Sequence, residues 1–213
     1  MTAMINQKAD PTVVQMTFLE AIVQAQIEEL ERDKRVILMG EDLAVYGGGK
    51  LFDRFDSSRI WSMPISENGF TGVGIGAAMT GLRPIVDLTI ASFMYLASDP
   101  IINQASKLHF MTGGQVKVPI VFRCVMIYGL STAAQHSDRP YPVFMNVPGL
   151  KIICPTSPAD IKGLMKSAVR DDDPVMIFED VKLWSVKGPV STDPDYLIPI
   201  GKADIKRDRK SVV

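Results

Sequence analysis

MPISENGFTGVGIGAAMTGLRPIVD, Met63 to Asp87, carries the densest information in the chain. A polar loop leads into a helix built almost wholly from small residues, and RPIVDLTIAS then reads as a buried strand. Gly69, Gly72, Gly74 and Gly76 each lower helix propensity by about 0.5 to 1 kcal/mol relative to alanine, so their presence implies close packing or ligand approach. In open parallel α/β sheets, ligands gather at the C-terminal ends of strands and the helix starts that follow. Glu67 sits at such a mouth, where a cap for the helix and a catalytic carboxylate are competing roles.

Upstream, RVILMGED (35–42) is a short continuous apolar run ending in Gly and acids, the pattern of a buried parallel strand. Residues 13 to 33 predict an amphipathic helix, with Thr17 as its N-cap and Glu20 three residues on. Downstream, DPIINQASKLHFMTGG predicts a helix stopped by paired glycines, VPIVFRCVMI a strand, LKIICP a strand, SPADIKGLMKSAVRD a helix and DPVMIFED a strand. The alternation predicts an α/β fold, a mainly parallel sheet with helices on both faces. Residues 185 to 200, rich in Pro, Gly, Ser and Asp, read as a linker. The main domain is therefore expected over 1–184, with 185–213 holding the linker and the opening of a further domain.

With 23 basic and 24 acidic residues the net charge is −1, which supplies no general attraction to nucleic acid or anionic membrane. No apolar stretch approaches the roughly 20 residues that span a bilayer, and MTAMINQKAD lacks a signal pattern. Cys124 and Cys154 lie in apolar runs and are expected to be buried free thiols in a reducing cytoplasm. GxGxG in the small-residue helix is a poor dinucleotide signature, because Pro64 and polar residues stand where a strand should precede it. No GxxxxGK(S/T) loop, CxxC pair or HExxH motif occurs. Of the two histidines, His136 lies in the polar loop STAAQHSDRP and is open to a site role, whereas His109, in a helix beside Phe110, reads as structural.

Four blocks occur in consistent order: PISENGFTGVGIGAAMTGLRPIVD, INQASKLHFMTGGQVKVPIVFR, AAQHSD, and PGLKIICPTSPADIKGLMKSAVRDDDPVMIFE. Together they resemble the beta subunit of the decarboxylating component of 2-oxo acid dehydrogenase complexes, a family that includes acetoin dehydrogenase beta subunits. The resemblance implies the pyrimidine-binding fold of thiamine-diphosphate enzymes and oxidative decarboxylation of a 2-oxo acid, with the acyl group passed to lipoamide. It implies that Glu67 meets the aminopyrimidine and shifts its tautomer. Phe93 would pack on that ring, Ile65 and Thr89 would line its pocket, and His136 would stand near substrate and thiazolium as the second catalytic residue. A structural potassium ion is implied at Ile120, Ala168, Val169, Asp171 and Asp173; a bare helix end with solvated aspartates is the alternative.

No GDGxxN-like motif for magnesium and diphosphate is present, which places that half of the cofactor site on an alpha subunit. The expected assembly is an alpha2beta2 heterotetramer that meets the lipoyl domain of an acyltransferase. Relative to the family, the segment after Tyr46 (YGGGKLFDRF) is several residues shorter, and Leu96 replaces a residue that is polar in some relatives. A non-catalytic assembly partner of the same fold is the rival function; retention of Glu67 and His136 argues against it.

Overall fold

Strand periodicity sorts the core into two layers. In β2 (Val36–Gly40), Val36 and Leu38 point to one face of a sheet while Ile37 and Met39 point to the other. The same split recurs in β4 (Arg83–Ile90), β5 (Val121–Met126) and β7 (Val175–Asp180). The structure, a computed structural model, describes residues 12–202. With β3 (Ile60–Ser62) and β6 (Lys151–Ile153), these strands form a six-stranded sheet in the order β3-β2-β4-β5-β7-β6, every pairing parallel. Helices α1 (Phe18–Arg32) and α6 (Pro158–Arg170) cover one face, and α3 (Glu67–Met79) covers the other. Short helices α2 (Gly49–Phe52), α4 (Leu108–Met111) and α5 (Tyr141–Phe144) complete the set. The α/β expectation holds.

α1 begins where its capping box dictates: the Thr17 hydroxyl accepts from the Glu20 amide, and the Glu20 carboxylate accepts from Thr17. Residues 13–17 are not helical. They form β1 (Val13–Thr17), antiparallel to β8 (Lys187–Ser191) from Val13 opposite Ser191 to Thr17 opposite Lys187. The helix read over 13–33 thus begins only after its N-cap Thr17, and within the linker read over 185–200 residues 187–191 form a strand. The cause is non-local: each strand supplies the other's ladder partners, which neither segment's composition reveals. Residues 203–213, read as the opening of a further domain, lie outside the described residues.

Glu28 ties α1 to α6: Lys162 and Lys166, both fully buried, place their ammonium groups 2.7 Å from its two oxygens. On the opposite face α3 lies close against the sheet at Gly74, where an added Cβ would stand 2.7 Å from Val86 Cγ2. That contact explains one of the four glycines; Gly72 and Gly76 face open space.

The single helix expected over 99–114 is broken into a wide turn, Pro100–Ala105, and α4. Ser106 donates to the Ile102 carbonyl at 2.7 Å and Thr112 to that of Leu108 at 2.8 Å, and such back-bonding competes with a regular helix. The cysteines are both free, but only Cys124 is buried. Cys154 is exposed because β6 is an edge strand and the chain leaves the sheet there.

Candidate functional site

β2, β3, β4 and β5 end on the same side of the sheet, and the chemistry-bearing side chains follow those ends. After β2, Gly40 passes so near β4 that a Cβ would stand 2.2 Å from the Asp87 carbonyl oxygen, so only glycine fits. Glu41 follows, 2% exposed, and among the described residues neither of its carboxylate oxygens has a hydrogen-bond partner. Burial first, then the charges of Glu67, Asp42 and Asp87, push its carboxyl up to about 7.

Glu67 opens α3 after β3. It is 5% exposed, and among the described residues its carboxylate makes no hydrogen bond. Ser66 holds the N-cap position without a side-chain cap bond, and Glu67 stands in the first turn of the helix. The outcome is two neighbouring buried carboxyls, one of which readily holds a proton. Sequence reasoning missed Glu41. The available signal was its place directly after a fully buried parallel strand, at the edge where such sheets bind ligands.

Thr89, near the end of β4, is buried with φ of 59°, a left-handed conformation that is unusual for a β-branched residue. The pairing register between β4 and β5 shifts between Asp87 and Ile90 to accommodate it. Backbone strain of this kind costs of order 1–3 kcal/mol and persists only when its surroundings enforce it. Here Asp87 Oδ1 accepts from the Thr89 amide at 2.9 Å, and the Thr89 hydroxyl donates to the Glu41 carbonyl at 3.2 Å. Asp87 is itself held by Arg123, whose guanidinium also forms a fork with Glu179 at 2.7 and 2.9 Å. All three charged side chains are buried. Burial raises the Glu179 carboxyl despite the Arg123 charge beside it.

Beyond β4, Phe93 lies in the turn Ala91–Tyr95, and His136 meets it edge-on with ring centroids 5.4 Å apart. His136 closes a short turn, Ala134–His136, in the loop after β5. Ile65 is 78% exposed on the rim between β3 and α3, and Leu96 and Tyr95 are exposed on the turn after β4. Asn68 Nδ2 bridges to the Leu96 carbonyl at 3.4 Å. Thus the structure brings Glu67 beside Glu41, Glu41 to Thr89, and Phe93 to His136, and leaves Ile65 on the outer rim. His109 is away from this group, its Nδ1 2.7 Å from the Val116 carbonyl oxygen. The YGGGKLFDRF segment forms the turn Ala44–Gly48 and α2.

The residues named for potassium lie at the opposite edge, where β5 and β7 begin and α6 ends. The carbonyl of Ile120 accepts from Val175, that of Ala168 from Asp171, and that of Asp171 from Arg83. The carboxylates of Asp171 and Asp173 are paired with Lys151 at 2.8 and 3.0 Å. Two protein cations, Arg83 and Lys151, therefore already serve the end of α6. Among the described residues no group of three or more His, Cys, Asp or Glu is arranged to hold a metal ion, and no helix is long and apolar enough to cross a membrane.

Comparison with known proteins identifies relatives of this chain. The chain is 43% identical over 199 residues to the 2-oxoisovalerate dehydrogenase subunit beta of Bacillus subtilis (strain 168), covering 91% of this chain and 61% of that protein. It is 44% identical to the mitochondrial pyruvate dehydrogenase E1 component subunit beta of Dictyostelium discoideum (93% and 58% covered). The human counterpart is 43% identical (92% and 57% covered). The chain thus spans about three fifths of the length of these relatives. Among solved structures, a split-gene transketolase described as an inactive beta4 tetramer superposes with a TM-score of 0.68 at 21% identity, over 86% of this chain and 56% of that one. A 2-oxoglutarate:ferredoxin oxidoreductase from Magnetococcus marinus gives 0.62 at 15% identity, over 91% and 36%. These two likenesses speak to the fold. Residues 14–185 match the family described as transketolase, pyrimidine binding domain, and the chain belongs to that family.

Proposed function

We propose that this chain supplies the pyrimidine-holding half of the cofactor site in the beta subunit of a thiamine-diphosphate-dependent 2-oxo acid dehydrogenase. The observation that carries this is the carboxyl pair at the C-terminal ends of the strands: Glu67, 5% exposed at the start of a helix, beside Glu41, whose two oxygens are buried without a hydrogen-bond partner among the described residues. Such a group calls for an external donor, and an aminopyrimidine ring is a suitable one. In this reading the Phe93 ring and the Thr89 backbone would flank the flat heterocycle, with the exposed Ile65 at its rim. Once bound, the cofactor supplies carbanion stabilisation at its thiazolium ring. The protein's part is to orient the pyrimidine through Glu67, to hold a proton at Glu41, and to exclude water. His136, which meets Phe93 edge-on, would donate toward charge developing on the substrate oxygen.

Residues 1–184 constitute the pyrimidine-binding domain in this reading, and 185–213 lead toward a C-terminal domain. An alpha subunit, in an alpha2beta2 heterotetramer, holds the diphosphate through magnesium, and the acyl group passes to the lipoyl domain of an acyltransferase. Substrates are of the class named by the relatives, pyruvate or a branched-chain 2-oxo acid, with acetoin as the alternative. The free thiols of Cys124 and Cys154 support assignment to the reducing cytoplasm. With Asp171 and Asp173 engaged by Lys151, potassium would be held by backbone carbonyls of Ile120, Ala168, Val169 and Asp171 through their remaining lone pairs, and stabilisation by KCl but not NaCl tests it.

Calorimetric titration of thiamine diphosphate with magnesium, into the chain alone and into its complex with the alpha subunit, tests the central claim. Binding in the complex alone, abolished by Glu67→Gln, is expected. Tight binding to the isolated chain overturns the shared site, and no binding in a verified complex favours a non-catalytic partner. His136→Ala should leave cofactor binding intact and lower turnover.

A further inference from the structure

The buried ion pairs beneath the site are more than sheet reinforcement. Arg123 holds two carboxylates, Asp87 on β4 and Glu179 on β7, and they differ in one respect. The Asp87 carboxylate also accepts from the Thr89 amide, two residues on, and so closes a turn that fixes Thr89 in its left-handed conformation. Thr89 in turn donates to the Glu41 carbonyl, and Phe93 stands four residues further along the same segment. A continuous chain of hydrogen bonds therefore runs from the core charge at Arg123, through Asp87 and Thr89, to the backbone of a site carboxyl. Among the described residues Glu179 has no such link to the site; besides Arg123 its carboxylate meets the Trp184 side chain.

We infer that Asp87 is a positioning residue for the cofactor site, clamped by Arg123 so that its carboxylate holds the Thr89 turn and thereby sets Glu41 and Phe93 around the pyrimidine. The inference rests on the function proposed above. It assigns the two halves of one ion-pair cluster to different tasks: Asp87 to site geometry, Glu179 to anchoring Arg123. Asp87 need not touch the cofactor. Its effect travels through a bulged, strained backbone that would otherwise relax to negative φ and turn the Thr89 hydroxyl away from Glu41.

Three substitutions in the complex with the alpha subunit separate these tasks. Asp87→Ala removes the acceptor for the Thr89 amide and leaves Arg123 in its fork with Glu179, a balanced buried pair that lets the sheet fold. Asp87→Ser discards the charge but keeps a short oxygen acceptor for the amide two residues on. Glu179→Gln weakens the other arm of the cluster. Misplacement of site groups by about 1 Å can cost on the order of 100-fold. Thiamine diphosphate Kd is therefore expected to rise about tenfold or more in Asp87→Ala, and to stay within about threefold of wild type in Asp87→Ser and Glu179→Gln. Glu179→Gln should nonetheless unfold at lower urea. An unchanged Kd in folded Asp87→Ala overturns the inference, as does a loss in Asp87→Ser or Glu179→Gln equal to that in Asp87→Ala. If Asp87→Ala does not assemble, the Asp87→Ser result still decides, since a tenfold loss there would show that charge, not the hold on Thr89, matters. Failure of the wild-type complex to bind the cofactor would instead remove the functional reading itself.

Discussion

Replacing Glu41 with glutamine should make the protein more stable, and by an amount that depends on pH. Glu41 is buried beside Glu67, and its carboxyl is raised from the ordinary 4.5 to about 7. Because the folded state binds this proton more tightly than the unfolded chain, stability is greatest below 4.5. It declines as pH rises through the interval to 7 and levels off above it. At 1.36 kcal/mol per pKa unit, the full interval is worth at most about 3.4 kcal/mol. For a single site, the part lost between pH 5 and pH 8.5 is about 2.5 kcal/mol. Glutamine does not titrate, so the stability difference between Glu41→Gln and wild type should grow by about 2 to 3 kcal/mol between these two pH values. With a urea m-value of about 2 to 3 kcal/mol/M, the relative midpoint shift is about 1 M. Urea unfolding of both proteins at pH 5 and pH 8.5 measures it directly. A stability difference equal at the two pH values, within about 0.5 kcal/mol, would refute the buried and proton-holding character given to Glu41.

Glycines within α3 should respond with opposite signs. Gly74→Ala drives a Cβ into Val86 and should cost about 1 to 2 kcal/mol, whereas Gly76→Ala, facing open space, should gain about 0.5 to 1 kcal/mol, both read from urea unfolding. Glu28→Ala strips the buried Lys162 and Lys166 of their carboxylate and should cost about 3 to 5 kcal/mol in the same assay. Burial alone would raise the Glu28 carboxyl, but hydrogen bonds from the two lysines outweigh it and lower it. Its stabilising share is accordingly present above 4.5 and lost as pH falls through the depressed value, so the penalty of Glu28→Ala should shrink in acid. Thr17→Ala removes the capping box of α1 and should lower the thermal midpoint by an amount equivalent to about 1 kcal/mol.

The legible parts of this protein are those whose physics is local. Continuous apolar runs such as RVILM and VPIVFRCVMI announce buried parallel strands, because a strand covered on both faces needs no polar alternation. The Thr17 and Glu20 pair marks a helix start within one turn of chain. Glu67 and His136 stand out through the resemblance of whole blocks, and in the structure Glu67 opens α3 after β3 while His136 lies in the loop after β5. What escaped was set by partners distant in sequence. β1 and β8 lie some 170 residues apart and are strands because each completes the other's hydrogen bonds. The helix over 99–114 broke where hydroxyl groups competed for its carbonyls.

By itself the sequence determined the buried parallel strands β2, β4, β5, β6 and β7, the small-residue helix with Glu67 at its head, and the family those blocks belong to. Tertiary structure alone decided that Glu41 is buried beside Glu67, that Thr89 is held in a strained turn, and that one arginine serves two buried carboxylates. An acid after a strand looks the same in sequence whether it is solvated or sealed in. Only the packing of β2, α3 and β4 withdraws Glu41 from water and sets a second carboxyl beside it, and loss of hydration together with that proximity is what raises its affinity for a proton.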